Sequence, residues 1–140
     1  MTALDALCTY FERLSAHNLN ELDRYYATDA RFKDPFHEVR GRPALEHVFR
    51  HMFQQVHDPR FVVTRTVAAG DDAFLTWDFL FRLHGSRDQE QVIRGATHIQ
   101  FAPDGRVAYH RDYWDAAEEL YEKLPILGGL MRFLKRRAAG

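Results

Sequence analysis

The sequence contains little of what marks several common classes of protein. Its 140 residues include a single cysteine, Cys8, which excludes an intrachain disulfide framework and a zinc site made of four cysteines. Lysine and arginine together number 19, against 20 aspartates and glutamates. The basic surplus typical of nucleic-acid-binding proteins is therefore missing, and we expect no nucleic-acid partner.

Long apolar runs are missing as well. No stretch approaches the ~18 consecutive apolar residues of a membrane-spanning helix, and residues 1–10 carry neither the basic start nor the apolar segment of a signal peptide. We expect a cytoplasmic protein without a membrane partner. Two alternatives stay open for the basic stretch 124–137. It either binds at a membrane surface or packs on the domain itself or on a second copy.

Aromatic residues, in contrast, are numerous. Eleven Phe, six Tyr and two Trp are more than the core of one small domain requires. The chain length is typical of a single domain. We therefore expect one domain over residues 1–140, in which 115–137 form a C-terminal helical extension.

The two halves of the chain differ in the period of their apolar residues. The first half has helical spacing, with a capping-box pattern at Thr2 and Asp5. It predicts three helices, the third running from Pro43 to Val56, and a brief strand over 30–34 before that third helix. In the second half, short turn sequences separate strand-like segments, which predicts antiparallel neighbours; these segments are roughly 61–69, 73–84, 90–102 and 106–114.

This order of elements predicts an α+β fold. We expect a cone-shaped α+β barrel, with the N-terminal helices packed on a curved, mostly antiparallel sheet and a helix at the C-terminal end. The same order resembles the nuclear transport factor 2-like superfamily, which includes ketosteroid isomerases, scytalone dehydratase and SnoaL-like polyketide cyclases. The resemblance spans roughly Leu4 to Trp114.

Two residues carry the resemblance to ketosteroid isomerases. Asp34, followed by Pro35, stands where those enzymes have their general base, and Tyr10 lies 24 residues earlier, at the position of their oxyanion donor. Thr97, however, replaces the protonated aspartate that is their second oxyanion donor. The resemblance therefore implies cofactor-free acid–base chemistry, but not steroid isomerisation itself.

Strand alternation gives Asp34 an independent interpretation. It places the carboxylate on the same face as Phe32, inside the domain, where removal from water suits a group that accepts protons near neutral pH. The alternative is that Asp34 caps the turn before Pro35, while Tyr10 is an aromatic residue at the edge of the core.

His110 and Asp112 form a second candidate pair. They lie two apart on a strand and so point the same way, which is typical of a histidine–carboxylate dyad. Their face is ambiguous, because Val107 and Tyr109 also fit an inward position. The resemblance favours the inward orientation and implies that Thr97 and Trp114 lie at a pocket. The surplus of aromatic residues is explained if Phe32 and Trp77 also form the wall of that pocket.

Other histidines and the cysteine receive structural interpretations. His47 and His51 have the spacing of a helical metal pair but lie off the apolar stripe, and no third ligand is evident, so we expect no metal. His98 should point away from the pocket, at a dimer contact, and Cys8 should be a buried, inert thiol.

Two functions fit these observations. The first is a cofactor-independent isomerase, cyclase or dehydratase that acts on a small cyclic or carbonyl compound, with Asp34, Tyr10, His110 and Asp112 as its acid–base groups. The second is a non-catalytic module that binds a small hydrophobic ligand or serves in dimerisation. For either, we expect a homodimer formed through the outer face of the sheet.

Overall fold

The protein was obtained as a computed structural model, which describes residues 2–83, 86–119, 134 and 136–139. Four α-helices and six strands make up these regions, together with a 3-10 turn at Leu19–Glu21. The helices are α1 (Ala3–Arg13), α2 (Leu22–Tyr25), α3 (Arg42–Gln55) and α4 (Ala116–Glu119). The strands are β1 (Tyr26–Lys33), β2 (Glu38–Arg40), β3 (Val56–Ala69), β4 (Asp72–Leu83), β5 (Ser86–Phe101) and β6 (Val107–Tyr113).

The sheet confirms the α+β prediction. Its strand order is β2-β1-β6-β5-β4-β3, in which β1 and β6 run parallel and the other neighbours are antiparallel. The sheet curls around α1 and α3 without closing, since β2 and β3 form its two edges. The cone is therefore an open one, and the first and last strands of the sequence lie side by side at its centre.

Local signals in the sequence account for helix α1. The hydroxyl of Thr2 accepts a hydrogen bond from the backbone N–H of Asp5, and the Asp5 carboxylate accepts one from the N–H of Thr2. This confirms the predicted capping box, which stabilises a helix start by satisfying unpaired N–H groups. The helix buries its apolar face against the sheet through Leu4, Leu7, Tyr10 and Phe11.

The bounds of several elements differ from the prediction. Strands β3 and β5 begin at Val56 and Ser86, earlier than the predicted starts near residues 61 and 90. Strand β1 begins at Tyr26, earlier than the predicted start at residue 30, because helix α2 ends after a single turn. Strand β2 was predicted as loop, because three residues are too few to show the alternation of a strand. It forms by pairing with β1, where Val39 lies opposite Phe32.

The core lies between the helices and the concave face of the sheet. Trp77, Phe79 and Phe81 of β4 are buried in alternation with more exposed neighbours, as the sequence predicts. Each such side chain contributes roughly 1.5–3 kcal/mol through its removal from water. Gly95 pairs with Trp77, and a Cβ there would lie 2.5 Å from the indole ring. The glycine therefore lets the indole lie directly on strand β5.

A bulge settles which face of β6 is inward. Tyr109 pairs with Gln100 and Val107 with Phe101, so β6 carries one extra residue between these two pairs. Val107 and His110 are consequently both buried, at 0% and 4% exposure, although they are three residues apart and would lie on opposite faces of a regular strand. Simple alternation cannot place both of them inside.

The C-terminal helix α4 begins at Ala116 and is capped by Asp115, as predicted. Its carboxylate accepts hydrogen bonds from the N–H groups of Ala117 and Glu118. Most of the predicted extension over 115–137, with its basic stretch, lies outside the described residues, and the single-domain boundary remains a prediction. Within the described regions, no helix has the length and apolar character needed to cross a membrane.

Candidate active site

A cavity of about 270 Å³ lies between α3 and the concave face of the sheet. Its wall is built mainly from aromatic side chains contributed by β1, α3, β3, β4 and the chain after β6. Two carboxylates, those of Asp34 and Asp112, interrupt this apolar wall. The eight aromatic residues are Phe32, Phe36, Phe49, Phe61, Trp77, Phe79, Phe81 and Trp114.

Asp112 is the centre of a chain of hydrogen bonds. Its Oδ1 lies 2.6 Å from Nε2 of His110 and 2.6 Å from Oγ1 of Thr97. Behind His110, the hydroxyl of Tyr26 lies 2.7 Å from Nδ1. Behind Thr97, the indole nitrogen of Trp77 lies 2.7 Å from Oγ1. The chain thus joins β1, β4, β5 and β6 through side chains alone.

Donor chemistry fixes the direction of these bonds. The indole N–H of Trp77 can only donate, so Thr97 accepts from it and gives its own single proton to Asp112. An ionised Asp112 also accepts from Nε2 of His110, and in the neutral imidazole Nδ1 is then the acceptor for the hydroxyl of Tyr26. Both branches therefore end on the same carboxylate oxygen.

The other oxygen of Asp112 is open. Oδ2 accepts no hydrogen bond from any residue that the structure describes. No buried side-chain N or O atom of those residues lacks a partner, so Oδ2 is accessible rather than sealed in the core. With 17% of its side chain exposed, Asp112 borders the cavity and is a carboxylate fixed on one side and free on the other.

The groups behind Asp112 are shielded from solvent. Tyr26 is fully buried, and Thr97 and His110 are 2% and 4% exposed. Burial, the negative charge of Asp112 and the nearby Tyr10 together raise the pKa of the Tyr26 hydroxyl well above its usual value. Tyr26 therefore stays protonated as a hydrogen-bond donor to the imidazole.

Asp34 has a different environment. Its Oδ1 accepts hydrogen bonds from the backbone N–H groups of Phe36 and His37, at 2.8 and 2.6 Å, and lies 3.0 Å from Nδ1 of His37. The alternative interpretation, in which Asp34 caps its own turn, is therefore the geometry observed. The carboxylate also lines the cavity, so its role as base stays a prediction.

Tyr10 is not placed opposite Asp34 in the way an oxyanion donor requires. Its ring is fully buried and stacks on Tyr25 at 4.3 Å, and its hydroxyl donates to the carbonyl oxygen of Asn18 at 2.9 Å. Desolvation raises the pKa of this hydroxyl. Its one proton is engaged within the N-terminal segment, so we leave Tyr10 out of the proposed chemistry.

The cavity is reachable from outside. A wider groove of about 550 Å³ shares Asp34, Asp112 and Trp114 with it. We call the position of these three shared residues the opening of the cavity; Phe36 of the cavity wall meets Trp114 there edge to face, with ring centroids 5.6 Å apart. The basic residues Lys33 and Arg111 line the groove but not the cavity.

The remaining candidates lie apart from the network. His47 and His51 are exposed on α3 with their rings parallel at 6.4 Å. His98 lies on the opposite face of β5 from Thr97, and its Nε2 is 2.7 Å from Asp72. Burial raises the pKa of the Cys8 thiol, which disfavours the nucleophilic thiolate. In the described regions, no three potential metal ligands come together.

Several residues of the site were not predicted from the sequence, among them Phe36 and His37 of the cavity wall. Tyr26, which opens β1 and supports His110, was not predicted either. Gly95 gave a usable signal, since an isolated glycine inside a strand indicates close approach of another group, here the ring of Trp77.

An open, curled sheet over helices, with an apolar cavity, is the fold of the nuclear transport factor 2-like proteins. The profile of the SnoaL-like domain matches residues 8–110 of this chain. The chain therefore belongs to the SnoaL-like family, and the resemblance noted in the sequence is confirmed. No curated protein sequence matches it significantly.

Solved structures show the same fold at low sequence identity. A ketosteroid isomerase-like protein from Catenulispora acidiphila, in complex with trimethylamine, is 16% identical with a TM-score of 0.72, covering 86% of this chain and 92% of its own. A protein assigned to the SnoaL-like polyketide cyclases, from Jannaschia sp. CCS1, is 16% identical with a TM-score of 0.71, and the match covers 83% of this chain and 87% of that one. An LEH-like epoxide hydrolase from M. tuberculosis is 18% identical with a TM-score of 0.67, and the match covers 96% of this chain and 93% of that one.

Proposed function

We propose that the chain binds a small, mainly apolar cyclic or carbonyl compound in the cavity of about 270 Å³ and moves a proton on it without a cofactor. The reaction class is isomerisation, cyclisation or dehydration. One observation carries the proposal: Asp112 lines an apolar cavity and has one oxygen without a partner among the described residues, while its other oxygen is fixed by Thr97 and His110. Such a carboxylate is a positioned general base.

The surrounding residues have distinct proposed roles. Asp112 takes a proton from the carbon next to the carbonyl, whose C–H electron pair moves towards the oxygen, and the proton then returns at another carbon. His110 and Thr97 hold the carboxylate, and Tyr26 fixes the imidazole tautomer. Asp34 with His37 is the second polar edge, which orients the polar group of the ligand.

The chain provides its own reporter for binding. Trp77 and Trp114 are its only two tryptophans, and both line the cavity. Ketones, enols and hydroxyaromatic compounds can be screened by tryptophan fluorescence, and compounds that bind can then be assayed for turnover and for exchange of their C–H protons with deuterium from the solvent.

The deciding variant is Asp112→Asn, which keeps the shape of the side chain and removes the base. We expect turnover or exchange to fall by about 100-fold or more while binding persists. Unchanged exchange in this variant would remove Asp112 from the mechanism. If compounds bind but none undergoes exchange or turnover, the non-catalytic binding module is the correct description.

A second candidate reaction, the addition of water to a bound ligand, is supported by a separate observation. An inner space of about 20 Å³ beside Thr97, His110 and Asp112 is large enough for one water molecule. Asp112 is placed to accept a proton from that water as it attacks a bound ligand. The epoxide hydrolase of similar fold supports this candidate, and incorporation of ¹⁸O from labelled water into a product tests it.

We also propose that two copies associate through the outer face of the sheet. Phe74 is 51% exposed there and stacks on His98 at 4.5 Å, and Val67 is 64% exposed. Exposed apolar side chains on one face are typical of an interface. Light scattering should give the mass of a dimer for the native chain and a monomer for Phe74→Asp; a native monomer would contradict the proposal.

A further inference from the structure

The cavity combines negative charge with aromatic rings. Among the described residues that line it, two are carboxylates, eight are aromatic and none is lysine or arginine. The two histidines in the lining are His37, whose Nδ1 lies 3.0 Å from Oδ1 of Asp34, and His51, which is exposed on α3. The positively charged side chains enter only in the outer groove, at Lys33 and Arg111.

This composition favours a ligand of one charge type. The face of an aromatic ring is electrostatically negative, and it attracts a cation more strongly where water is excluded. A carboxylate beside apolar walls is costly unless an opposite charge or a hydrogen bond compensates it. The carboxylate of Asp112 has hydrogen bonds on Oδ1, but its Oδ2 has no partner among the described residues. An anionic ligand would add repulsion, whereas a cation would complete the site.

We propose that the natural ligand of this cavity carries a cationic nitrogen, as a protonated or quaternary amine attached to a small apolar ring or chain. This inference rests on the proposed function, because it names the substrate class of the same site. The positive charge agrees with proton abstraction by Asp112, since a cationic nitrogen makes neighbouring C–H bonds more acidic.

The opening of the cavity is the proposed position of the cationic group. Phe36 and Trp114 meet there, and Asp34 and Asp112 both border this opening. Two aromatic rings beside carboxylates are the usual elements of an ammonium site. The apolar part of the ligand then faces the deeper wall, where Phe49, Phe79 and Phe81 lie.

Three probes that share one ring test the charge preference. Cyclohexylamine is cationic at pH 8, cyclohexanol is neutral and cyclohexanecarboxylate is anionic. Quenching of Trp77 and Trp114 reports binding in the cavity. We expect cyclohexylamine to bind at least about tenfold more tightly than cyclohexanol, and the carboxylate to bind least.

Asp34→Asn is the test variant, because an asparagine oxygen can still accept from the N–H groups of Phe36 and His37 while the charge is removed. Its preference for the amine over the alcohol should fall to about threefold or less. Glu38→Gln is the matched control, since it removes the same charge from a side chain that is 76% exposed and paired with Lys33 outside the cavity. The control should keep the native preference.

The inference is overturned if cyclohexanol binds as tightly as the amine, if no probe binds, or if Asp34→Asn and Glu38→Gln behave alike. These results differ from a failure of the proposed function. If the amine binds preferentially but proton exchange is unchanged in Asp112→Asn, the ligand is cationic and Asp112 is not the base. If the neutral ring binds preferentially but exchange is lost in Asp112→Asn, Asp112 is the base and the ligand is not cationic.

Discussion

Asp34 and Asp112 are two carboxylates on the wall of one cavity, and their partners make them different groups. Asp34 is held by N–H groups two and three residues further along its own turn. Asp112 is held by side chains of β5 and β6, which are supported in turn from β4 and β1. The comparison teaches that backbone N–H groups of its own turn hold Asp34, whereas side chains of its own strand and of the neighbouring strand hold Asp112 through one oxygen only.

The largest expected effect separates the two residues by catalysis. Asp112→Asn should lower turnover or proton exchange by about 100-fold or more, while Asp34→Asn should change the rate constant of the bound complex by less than about tenfold. Saturation kinetics with a compound from the binding screen measure both. The comparison breaks if Asp34→Asn is the variant that loses turnover, because the base would then be the residue expected from the sequence.

Tyr26→Phe tests the support behind Asp112. The variant leaves Nδ1 of a buried His110 without its partner, which should lower the free energy of unfolding by about 1–3 kcal/mol. Turnover should fall as well, but less than in Asp112→Asn. Urea unfolding measures the first effect, and Tyr25→Phe serves as the control from a neighbouring tyrosine outside the network. Equal stability of Tyr26→Phe and the native chain would contradict the assignment.

Asp34→Ala tests the turn. Loss of a side chain that accepts from two backbone N–H groups should cost about 0.5–2 kcal/mol of unfolding free energy, similar to the loss of a helix cap. Asp34→Asn should retain most of that stability, since it keeps the acceptor. If alanine and asparagine are equally destabilising in urea, charge rather than turn geometry is what Asp34 supplies.

The smallest expected effect depends on alkaline pH. Tyr26 has a pKa in the folded chain that burial, first, and the charge of Asp112, second, raise above the unfolded value, which is about 10. Its contribution to stability is therefore complete below pH about 10 and is lost as pH rises towards the folded pKa. The stability difference between the native chain and Tyr26→Phe should narrow above pH 10, and a constant difference up to pH 11.5 would argue against a buried hydroxyl.

Much of the fold was predictable because it follows local rules. The capping box of α1, the alternation of Trp77 and its neighbours on β4, and the turn-linked order of the strands all appear in short windows of sequence. Residue types also indicated a polar pair at His110 and Asp112, and the geometry places both beside the cavity network.

The remainder depends on contacts between distant segments, which no short window contains. The inward face of β6 required a bulge opposite Phe101, and the partner of His110 required the parallel pairing of β1 with β6. Tyr10 shows that a matching pattern along the sequence can also mislead. Its spacing from Asp34 matches that of ketosteroid isomerases, but its hydroxyl donates a hydrogen bond to the carbonyl oxygen of Asn18. Spacing fixes a position along the chain but not the direction of a hydroxyl.

The parallel pairing of β1 with β6 also has a consequence for folding. Tyr26 and His110 are 84 residues apart, and contacts so distant in sequence form late, because a long loop must close before they are rewarded. During synthesis, the proposed base Asp112 cannot be positioned until strand β6 has left the ribosome and docked beside β1. A nascent chain that ends within β5 can pair β1 only with β2 and β3 only with β4, because β6 is the strand that joins these two parts of the sheet.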